Sequence, residues 1–206
     1  MAASAQRPAD AVIAASDITG IVLAGGQGRR MGGVDKGWIE LAGQPMIGHV
    51  LERLRPQVGA LLINANQNLE RYARLGVPVI PDVVGGFAGP LAGLHAGMTR
   101  ATHAYVVTVP CDSPFLPPDL VQRLADGLAE TGADLAVAKT LDQPHPVFCL
   151  ARRSVLPHLA AFLESGGRKI DAWYATLAVT EVAFDDEAEA FRNINTADEL
   201  AAAART

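Results

Sequence analysis

Short apolar runs rich in β-forming residues alternate along this chain with segments whose apolar residues recur at helical spacing. Strands are predicted over residues 20–23, 60–64, 77–80, 105–109, 134–138, 147–150 and 178–184. Helices are predicted over residues 46–54, 69–75, 91–100, 118–130, 153–163, 170–177 and 197–204. Several strands are continuously apolar, which is typical of strands covered by helices on both faces. The alternation therefore predicts an α/β fold, a three-layer αβα sandwich around a mostly parallel sheet.

The chain is 206 residues long, the length of one ordinary domain, and it contains no internal repeat and no long linker. Its first residues lack the basic start and the unbroken apolar core of a signal peptide. We therefore expect a poorly ordered N-terminal extension over residues 1–17, followed by a single domain over residues 18–206. Two prolines predict one turn over residues 143–146, which interrupts the alternation.

The charge balance and the cysteines argue against several classes of protein. The formal net charge is −5, so the chain has no general basic field and we expect no nucleic-acid partner. No apolar run approaches the ~20 residues that cross a bilayer, so we expect no membrane association. Cys111 and Cys149 have neither CxxC nor zinc-site spacing, which is typical of reduced thiols in a cytoplasmic protein.

Eleven of the 20 glycines fall in two windows, residues 25–37 and 85–97, and so predict two glycine-rich loops. The first loop follows a predicted strand and carries three cations, among them Arg30 and Lys36. Glycines allow several backbone N–H groups to converge on one anion, and cations add charge for phosphates. The Walker A pattern fails because Gly37 follows the lysine, and the glycine spacing departs from the dinucleotide-binding fingerprint. A long surface loop with exposed arginines is the alternative.

Polar or glycine residues lie at or shortly after the ends of four of the predicted strands, namely Gly25, Asn64, Asp82 and Asp112. They should meet at one edge of the sheet, where ligands of such folds bind at the carboxyl ends of the strands. A carboxylate beside a phosphate-binding loop suits Mg²⁺, but Asp112 could equally be a turn or helix-cap residue. Asn64 could bind a base edge through its amide or cap a helix, and Asp82 could be a solvated turn residue.

The first glycine loop resembles the signature of the nucleotidyltransferases that activate sugars and cofactors. The matching elements are Leu-Ala-Gly-Gly at residues 23–26, Arg-Met-Gly at residues 30–32 and then Lys36. Within that superfamily, the string Arg-Arg-Met-Gly-Gly-Val-Asp-Lys is similar to the molybdenum cofactor guanylyltransferases. Three later stretches also resemble that family: Gly-Pro-Leu-Ala-Gly at residues 89–93, Pro-Cys-Asp-Ser-Pro at residues 110–114 and Asn-Ile-Asn-Thr at residues 193–196.

This resemblance implies a Rossmann-like fold of the nucleotide-diphospho-sugar transferase type. It implies a Mg²⁺-dependent enzyme that transfers GMP from GTP to the terminal phosphate of molybdenum-molybdopterin, forming molybdopterin guanine dinucleotide and releasing pyrophosphate. The nucleotide-binding half would span residues 18–115 and the acceptor-binding half residues 116–206. Molybdenum-insertion proteins, and apo-molybdoenzymes or their chaperones, would be its partners in the cytoplasm.

The resemblance also implies the roles of individual residues. It implies that Arg30, Lys36 and Asp112 are catalytic residues and that Asp112 also binds the metal. The residues expected at the nucleotide are Leu23, Ala24, Gly25, Gly26, Lys36, Asn64, Asp82 and Asp112. Asn193 and Asn195 are candidates for the pterin side of the cleft.

Three other functions are compatible with parts of the pattern. The nearest is a nucleotidyltransferase with another base or acceptor, such as a cytidylyltransferase acting on molybdopterin or a sugar-phosphate enzyme. The second is a non-catalytic module that binds GTP or carries the cofactor, which would bind GTP without releasing pyrophosphate. The third is a nicotinamide-dependent oxidoreductase, which the failed dinucleotide fingerprint disfavours.

Overall fold

The structure is a computed structural model, and it describes residues 12–25, 35–83, 89–191 and 194. The strands within these ranges are β1 Ile18–Leu23, β2 Glu40–Leu41, β3 Gln44–Pro45, β4 Ala60–Asn64, β5 Val79–Ile80, β6 Tyr105–Pro110, β7 Leu135–Thr140, β8 Gln143–Arg152 and β9 Val179–Ala183. The α-helices are α1 Met46–Leu54, α2 Leu69–Ala73, α3 Pro90–Arg100, α4 Leu120–Thr131, α5 Leu156–Glu164 and α6 Ile170–Tyr174. The helix predicted over residues 197–204 lies outside the described residues.

Seven of these strands form one sheet in the order β5-β4-β1-β6-β8-β7-β9. β1 pairs in parallel with β4 on one side and with β6 on the other, and β7 pairs in parallel with β9. β8 is antiparallel to both of its neighbours, β6 and β7. The predicted mostly parallel sheet is therefore confirmed. The short strands β2 and β3 form a separate hairpin.

Helices cover both faces of the sheet, as an αβα sandwich requires. Along β1, Ile18 and Val22 face one core while Ile21 faces the other, as alternating strand residues do. The first core lies under α1 and α4, and it buries the apolar stripe of α4 that includes Leu124 and Leu128. The second core lies under α3, α5 and α6. No helix in the described ranges is long and apolar enough to cross a membrane.

The start of the domain differs from the prediction. Residues 12–17 were expected in a poorly ordered extension, and for this part of the range the prediction is wrong. Residues 15–17 form a 3₁₀ turn that leads into β1. Ile13 is only 4% exposed and belongs to the core under α1 and α4. Burial of this side chain stabilises the segment, whose short, alanine-rich sequence gives no periodic signal of its own.

The turn predicted over residues 143–146 is also wrong, because these residues open strand β8. Pro144 pairs with Lys139 and His145 with Ala138 in the ladder to β7. The chain reverses instead at Leu141 and Asp142, where Leu141 adopts a positive φ of 51°. The prolines are tolerated because β6 pairs with β8 only from Cys149 onward, so their missing N–H groups interrupt no ladder on that side.

Candidate active site at the carboxyl edge of the sheet

The carboxyl ends of β1, β4 and β6 lie side by side, and this brings the first predicted site residues together. Leu23, the last residue of β1, is in register with Asn64 of β4 and with Pro110 of β6. The N–H of Ala24 donates to the carbonyl of Asn64 at 2.8 Å, and the N–H of Cys111 donates to the carbonyl of Leu23 at 3.1 Å. The backbone where the first glycine loop begins is therefore held between the other two strands.

Two residues predicted to act together, Lys36 and Asp112, form an ion pair across this edge. Lys36 Nζ donates to Asp112 Oδ2 at 3.0 Å. The Asp112 side chain is 11% exposed and the Lys36 side chain 30%, so the pair opens to solvent mainly on the lysine side. The carbonyl of Asp112 accepts from the N–H of Ile194, which anchors the turn after β6. A carboxylate and an ammonium so arranged can hold phosphate groups and a cation that accompanies them.

A second polar cluster lies at the end of β4 and joins Asn64 to Asp82. Asn64 Nδ2 donates to Asp82 Oδ1 at 2.9 Å, and Asn66 Nδ2 donates to Asp82 Oδ2 at 2.8 Å. The N–H of Asp82 donates back to Asn66 Oδ1 at 2.9 Å. Asp82 is therefore oriented on both carboxylate oxygens and is not a freely solvated turn residue.

The side-chain amide nitrogen of Asn64 makes its hydrogen bonds within the protein, and the predicted contact of Asn64 with a nucleotide base stays a prediction. The residue is 3% exposed, and its amide nitrogen donates to Asp82 and, at 3.3 Å, to the carbonyl of Ile80. It does not cap a helix either: Asn68 occupies the N-cap position of α2, and its own side chain makes no capping hydrogen bond. The structure therefore assigns Asn64 to the orientation of Asp82. Asn66, two residues further along the chain, supplies the other hydrogen bond to the Asp82 carboxylate, and no sequence motif indicated this contact.

The described end of the second glycine loop starts helix α3 at this edge. Gly89, at the N-cap, has a φ of +64° and a ψ of −152°, a conformation that L-residues with a side chain rarely adopt. Pro90 follows at the first helical position, where its missing N–H costs nothing. Gly93 lies so close to β1 and β4 that a Cβ there would touch Asn64 Oδ1 and come within 2.7 Å of Leu23 Cδ2. These two glycines are required by backbone geometry and close packing.

A further contact, which sequence reasoning missed, surrounds the residue before Lys36. Asp35 Oδ1 accepts from the hydroxyl of Tyr72 at 2.5 Å, and Asp35 Oδ2 accepts from Asn68 Nδ2 at 2.9 Å. Burial raises the pKa of Tyr72 well above its usual range, so its hydroxyl remains a neutral donor. Burial likewise raises the pKa of the Cys111 thiol. Only the string Gly-Val-Asp-Lys hinted that Asp35 has a role.

Several predicted site residues cannot be placed. Gly26 and Arg30 lie outside the described residues, as do Asn193 and Asn195. Ile194, which lies between these two asparagines in sequence, is 4% exposed and packs in a small apolar cluster with Leu41 and Met46. Its hydrogen bond to the carbonyl of Asp112 brings this point of the C-terminal segment to the active-site edge.

The described residues contain no group of three or more histidine, cysteine, aspartate or glutamate side chains that could hold a metal by themselves. Mg²⁺ does not need such a group, because it usually takes one or two carboxylates and fills its other positions with water and substrate phosphates. Asp112 supplies one well-oriented carboxylate at the place where phosphates would lie. The donor set therefore fits Mg²⁺ carried in with a nucleotide and does not fit a metal held by the protein alone.

Comparison with known proteins agrees with this geometry. The family described as "MobA-like NTP transferase domain" matches residues 20–179. The molybdenum cofactor guanylyltransferase of Cupriavidus necator is 56% identical over 194 residues, which cover 92% of this chain and 97% of that protein. The enzyme of the same name from Ralstonia nicotianae is 53% identical, covering 92% and 97%.

Among solved structures, the molybdopterin-guanine dinucleotide biosynthesis protein A of Archaeoglobus fulgidus superposes with a TM-score of 0.75 at 29% identity. The match covers 91% of this chain and 97% of that one. The resemblance found in the sequence motifs is thus confirmed over nearly the whole length, and so is the fold. This chain belongs to the MobA-like NTP transferase family and, within it, to the molybdenum cofactor guanylyltransferases.

Proposed function

We propose that this protein is a Mg²⁺-dependent guanylyltransferase, which transfers GMP from GTP to the terminal phosphate of molybdenum-molybdopterin. The products are molybdopterin guanine dinucleotide and pyrophosphate. The observation that carries the proposal is the Lys36–Asp112 pair at 3.0 Å, set where the first glycine loop leaves β1. The high identity to relatives named for this activity supports the same reaction.

The reaction is an in-line displacement. An oxygen of the acceptor's terminal phosphate forms a bond to the α-phosphorus of GTP, and the bond from that phosphorus to the bridging oxygen breaks. Pyrophosphate departs with the electron pair of the broken bond. Such a displacement needs little covalent help, so the enzyme works by positioning and by neutralising charge. Backbone N–H groups from Leu23 to Gly26, together with Arg30 and Lys36, would hold the triphosphate and stabilise the leaving charge.

Asp112 would hold Mg²⁺ against the phosphates. The bound cation would add positive charge where the phosphate oxygens become more negative. Lys36 would stay beside it, because its ammonium already lies on the same carboxylate.

The carboxylate of Asp82 is the group that we assign to base selection. A carboxylate accepts hydrogen bonds on two oxygens, and the ring N–H and exocyclic amino group of guanine offer two adjacent donors. Cytosine offers only its exocyclic amino group on the corresponding edge. Asn64 and Asn66 hold both oxygens of Asp82 in place, and each oxygen keeps a further lone pair for a ligand. This favours guanine over cytosine.

The order of the sheet supports the assignment of two halves. Strands from residues 18–115 form the side β5-β4-β1-β6, and strands from residues 116–206 form the side β8-β7-β9. We assign GTP to the first side and the pterin to the second, within one domain over residues 18–206. The reaction further implies a supply of molybdopterin from molybdenum-insertion proteins and delivery to apo-molybdoenzymes or their chaperones, in the cytoplasm.

The test is to mix the purified protein with Mg²⁺ and each of the four nucleoside triphosphates, with and without molybdopterin. Pyrophosphate should appear only with GTP and molybdopterin together, and mass analysis should find a pterin heavier by one GMP unit. A product with CMP would instead identify a cytidylyltransferase. Tight GTP binding without Mg²⁺-dependent pyrophosphate release would identify a carrier, and either result would overturn the proposal.

A further inference from the structure

The side chain of Tyr72 is fully buried, yet its hydroxyl donates to a charged side chain at the edge of the active site. The residue lies in the five-residue helix α2 and is 0% exposed. A buried tyrosine hydroxyl needs an acceptor, and a backbone carbonyl suffices, as Tyr174 shows by donating to the carbonyl of Pro146. Tyr72 donates instead to Asp35 at 2.5 Å. Hydrogen bonds to ionised groups are shorter and about twice as strong as neutral ones.

Asp35 is therefore fixed on both carboxylate oxygens by residues that follow β4. Asn68 supplies the second hydrogen bond from the N-cap of α2, in a left-handed conformation with φ 53° and ψ 31°. A non-glycine residue in that conformation is uncommon and marks local strain, although asparagine tolerates it best. Its capping role is given up for the contact with Asp35, since the side chain makes no capping hydrogen bond.

The same tyrosine also fixes the two residues after Lys36. A Cβ on Gly37 would lie 2.8 Å from the hydroxyl of Tyr72, so the chain passes directly over this atom. The ring of Trp38 lies 5.2 Å from the ring of Tyr72, and the Arg71 guanidinium lies 4.0 Å from the centre of the Trp38 ring. Lys36 thus sits between neighbours that Tyr72 holds on either side.

We propose that Tyr72, acting through Asp35, is a positioning residue that fixes the backbone of Lys36 so that its ammonium stays at Asp112. The positioning part of this inference stands on the contacts above, whereas its effect on turnover rests on the proposed function. Tyr72 touches neither the substrate nor the reacting atoms in this scheme. Its hydroxyl fixes the backbone position of Lys36, and from there the flexible side chain of the lysine reaches Asp112.

The positioning can be tested without any turnover, because the chain has only three lysines. Lys139 serves as the reference: its side chain, like that of Lys36, is 30% exposed, and the two lysines donate to carboxylates at 2.8 Å (Glu181) and 3.0 Å (Asp112). Trace acetic anhydride followed by peptide mass analysis gives the ratio of acetylation at the two amines. An ammonium must leave its ion pair to react, so Tyr72→Phe should raise the Lys36-to-Lys139 ratio severalfold.

The matched control is Thr19→Val, which also removes one buried hydroxyl. Thr19 is 2% exposed and hydrogen-bonds to His103 at 2.8 Å, at the opposite end of β1 from the active site. This variant should melt at a temperature similar to that of Tyr72→Phe and keep the wild-type labelling ratio. A ratio unchanged in Tyr72→Phe, or raised equally in Thr19→Val, would refute the positioning role.

Kinetics then separate the two proposals. Tyr72→Phe should lower kcat about 10- to 100-fold with a smaller rise in KM for GTP, because Lys36 binds the triphosphate but acts more strongly on the charge that develops in the transition state. In a Lys36→Met background, measured with radiolabelled GTP, the same substitution should lower kcat less than about twofold, since it acts through the missing ammonium. If Tyr72→Phe lowered kcat by the same factor of about 10 to 100 in the Lys36→Met background, Tyr72 would act independently of Lys36, and the inference would be overturned. A raised labelling ratio with an unchanged kcat would support the positioning role of Tyr72 and refute the catalytic role of Lys36.

Discussion

Adding one methyl group at Gly93 should weaken the affinity of the domain for GTP strongly while lowering its stability only slightly. Gly93 lies on α3 where the helix touches β1 and β4, and a Cβ there meets Leu23 Cδ2 at 2.7 Å as well as Asn64 Oδ1. The amide of Asn64 holds Asp82 at 2.9 Å. In Gly93→Ala, either α3 moves outward or the Asn64 side chain turns away from Asp82.

The magnitudes of the two effects differ. Overpacking a core by one methyl costs about 1–3 kcal/mol, and replacing glycine by alanine within a helix returns about 1 kcal/mol. The net loss of stability is about 0–2 kcal/mol, or a fall in Tm of about 0–8 °C for a chain of this length. An Asp82 that is no longer oriented loses one of its hydrogen bonds to the base, and a hydrogen bond to a charged group is worth about 1.5–3 kcal/mol. Kd for GTP should therefore rise about 10- to 150-fold.

Gly97→Ala is the matched control, one turn further along the same helix. The three atoms nearest to a Cβ at Gly97 all belong to the Ile21 side chain, so the strain falls on the apolar core. This variant should show a similar or larger fall in Tm by circular dichroism but bind GTP within about twofold of wild type by calorimetry. Wild-type affinity in Gly93→Ala, or equal weakening in both variants, would refute the role given to Asn64 and Asp82.

Three further outcomes are expected. Lys36→Ala and Asp112→Ala should each keep the wild-type circular dichroism spectrum and lower GMP transfer about 10²- to 10³-fold; wild-type turnover in either would remove the assignment. Ile13→Ala should lower the free energy of unfolding by about 2–5 kcal/mol in a urea titration, because this side chain is 4% exposed. An unchanged free energy of unfolding would show that residues 12–17 form a disordered extension after all. Burial lowers the pKa of His145 below its ordinary value of 6.5, so the unfolded chain binds that proton more readily and stability falls as the pH drops through 6.5. In His145→Gln, the decrease in Tm between pH 7.5 and pH 5.5 should be smaller, and identical profiles would contradict the burial effect.

The fold was predictable because its elements carry their own periodicity. Continuous apolar runs indicated strands buried on both faces, and the stripe on α4 indicated a helix packed on the sheet. The pairing of Lys36 with Asp112 was predictable in outline for a similar reason. Both follow strands that are parallel neighbours, and the carboxyl ends of such strands must meet.

The remainder depended on contacts between residues far apart in sequence. The prolines near His145 favoured a turn, but whether a missing N–H matters depends on which side of β8 has a partner strand. Tyr72 lies within the helix predicted over residues 69–75, and only the folded chain places its hydroxyl on Asp35, 37 residues away. The same holds for Asn68, which directly precedes that predicted helix and donates to Asp35 across 33 residues of sequence.

The arrangement of the sheet also constrains how the two substrates approach each other. Asn64, which holds Asp82, ends β4, and Asp112 follows β6. β1 lies between these two strands, so their ends are about two strand spacings or ~10 Å apart. A nucleotide whose base lies at Asp82 would cross the end of β1 and bring its phosphates to Asp112 and Lys36. In-line displacement requires the acceptor oxygen and the departing pyrophosphate to lie on opposite sides of the α-phosphorus. With pyrophosphate held at the glycine loop after β1, we expect the acceptor to enter from the β8-β7-β9 side, in line with the proposed division into two halves. The antiparallel strand β8 is what creates that side, because it carries the chain from β7 back against β6 and extends the sheet beyond Asp112.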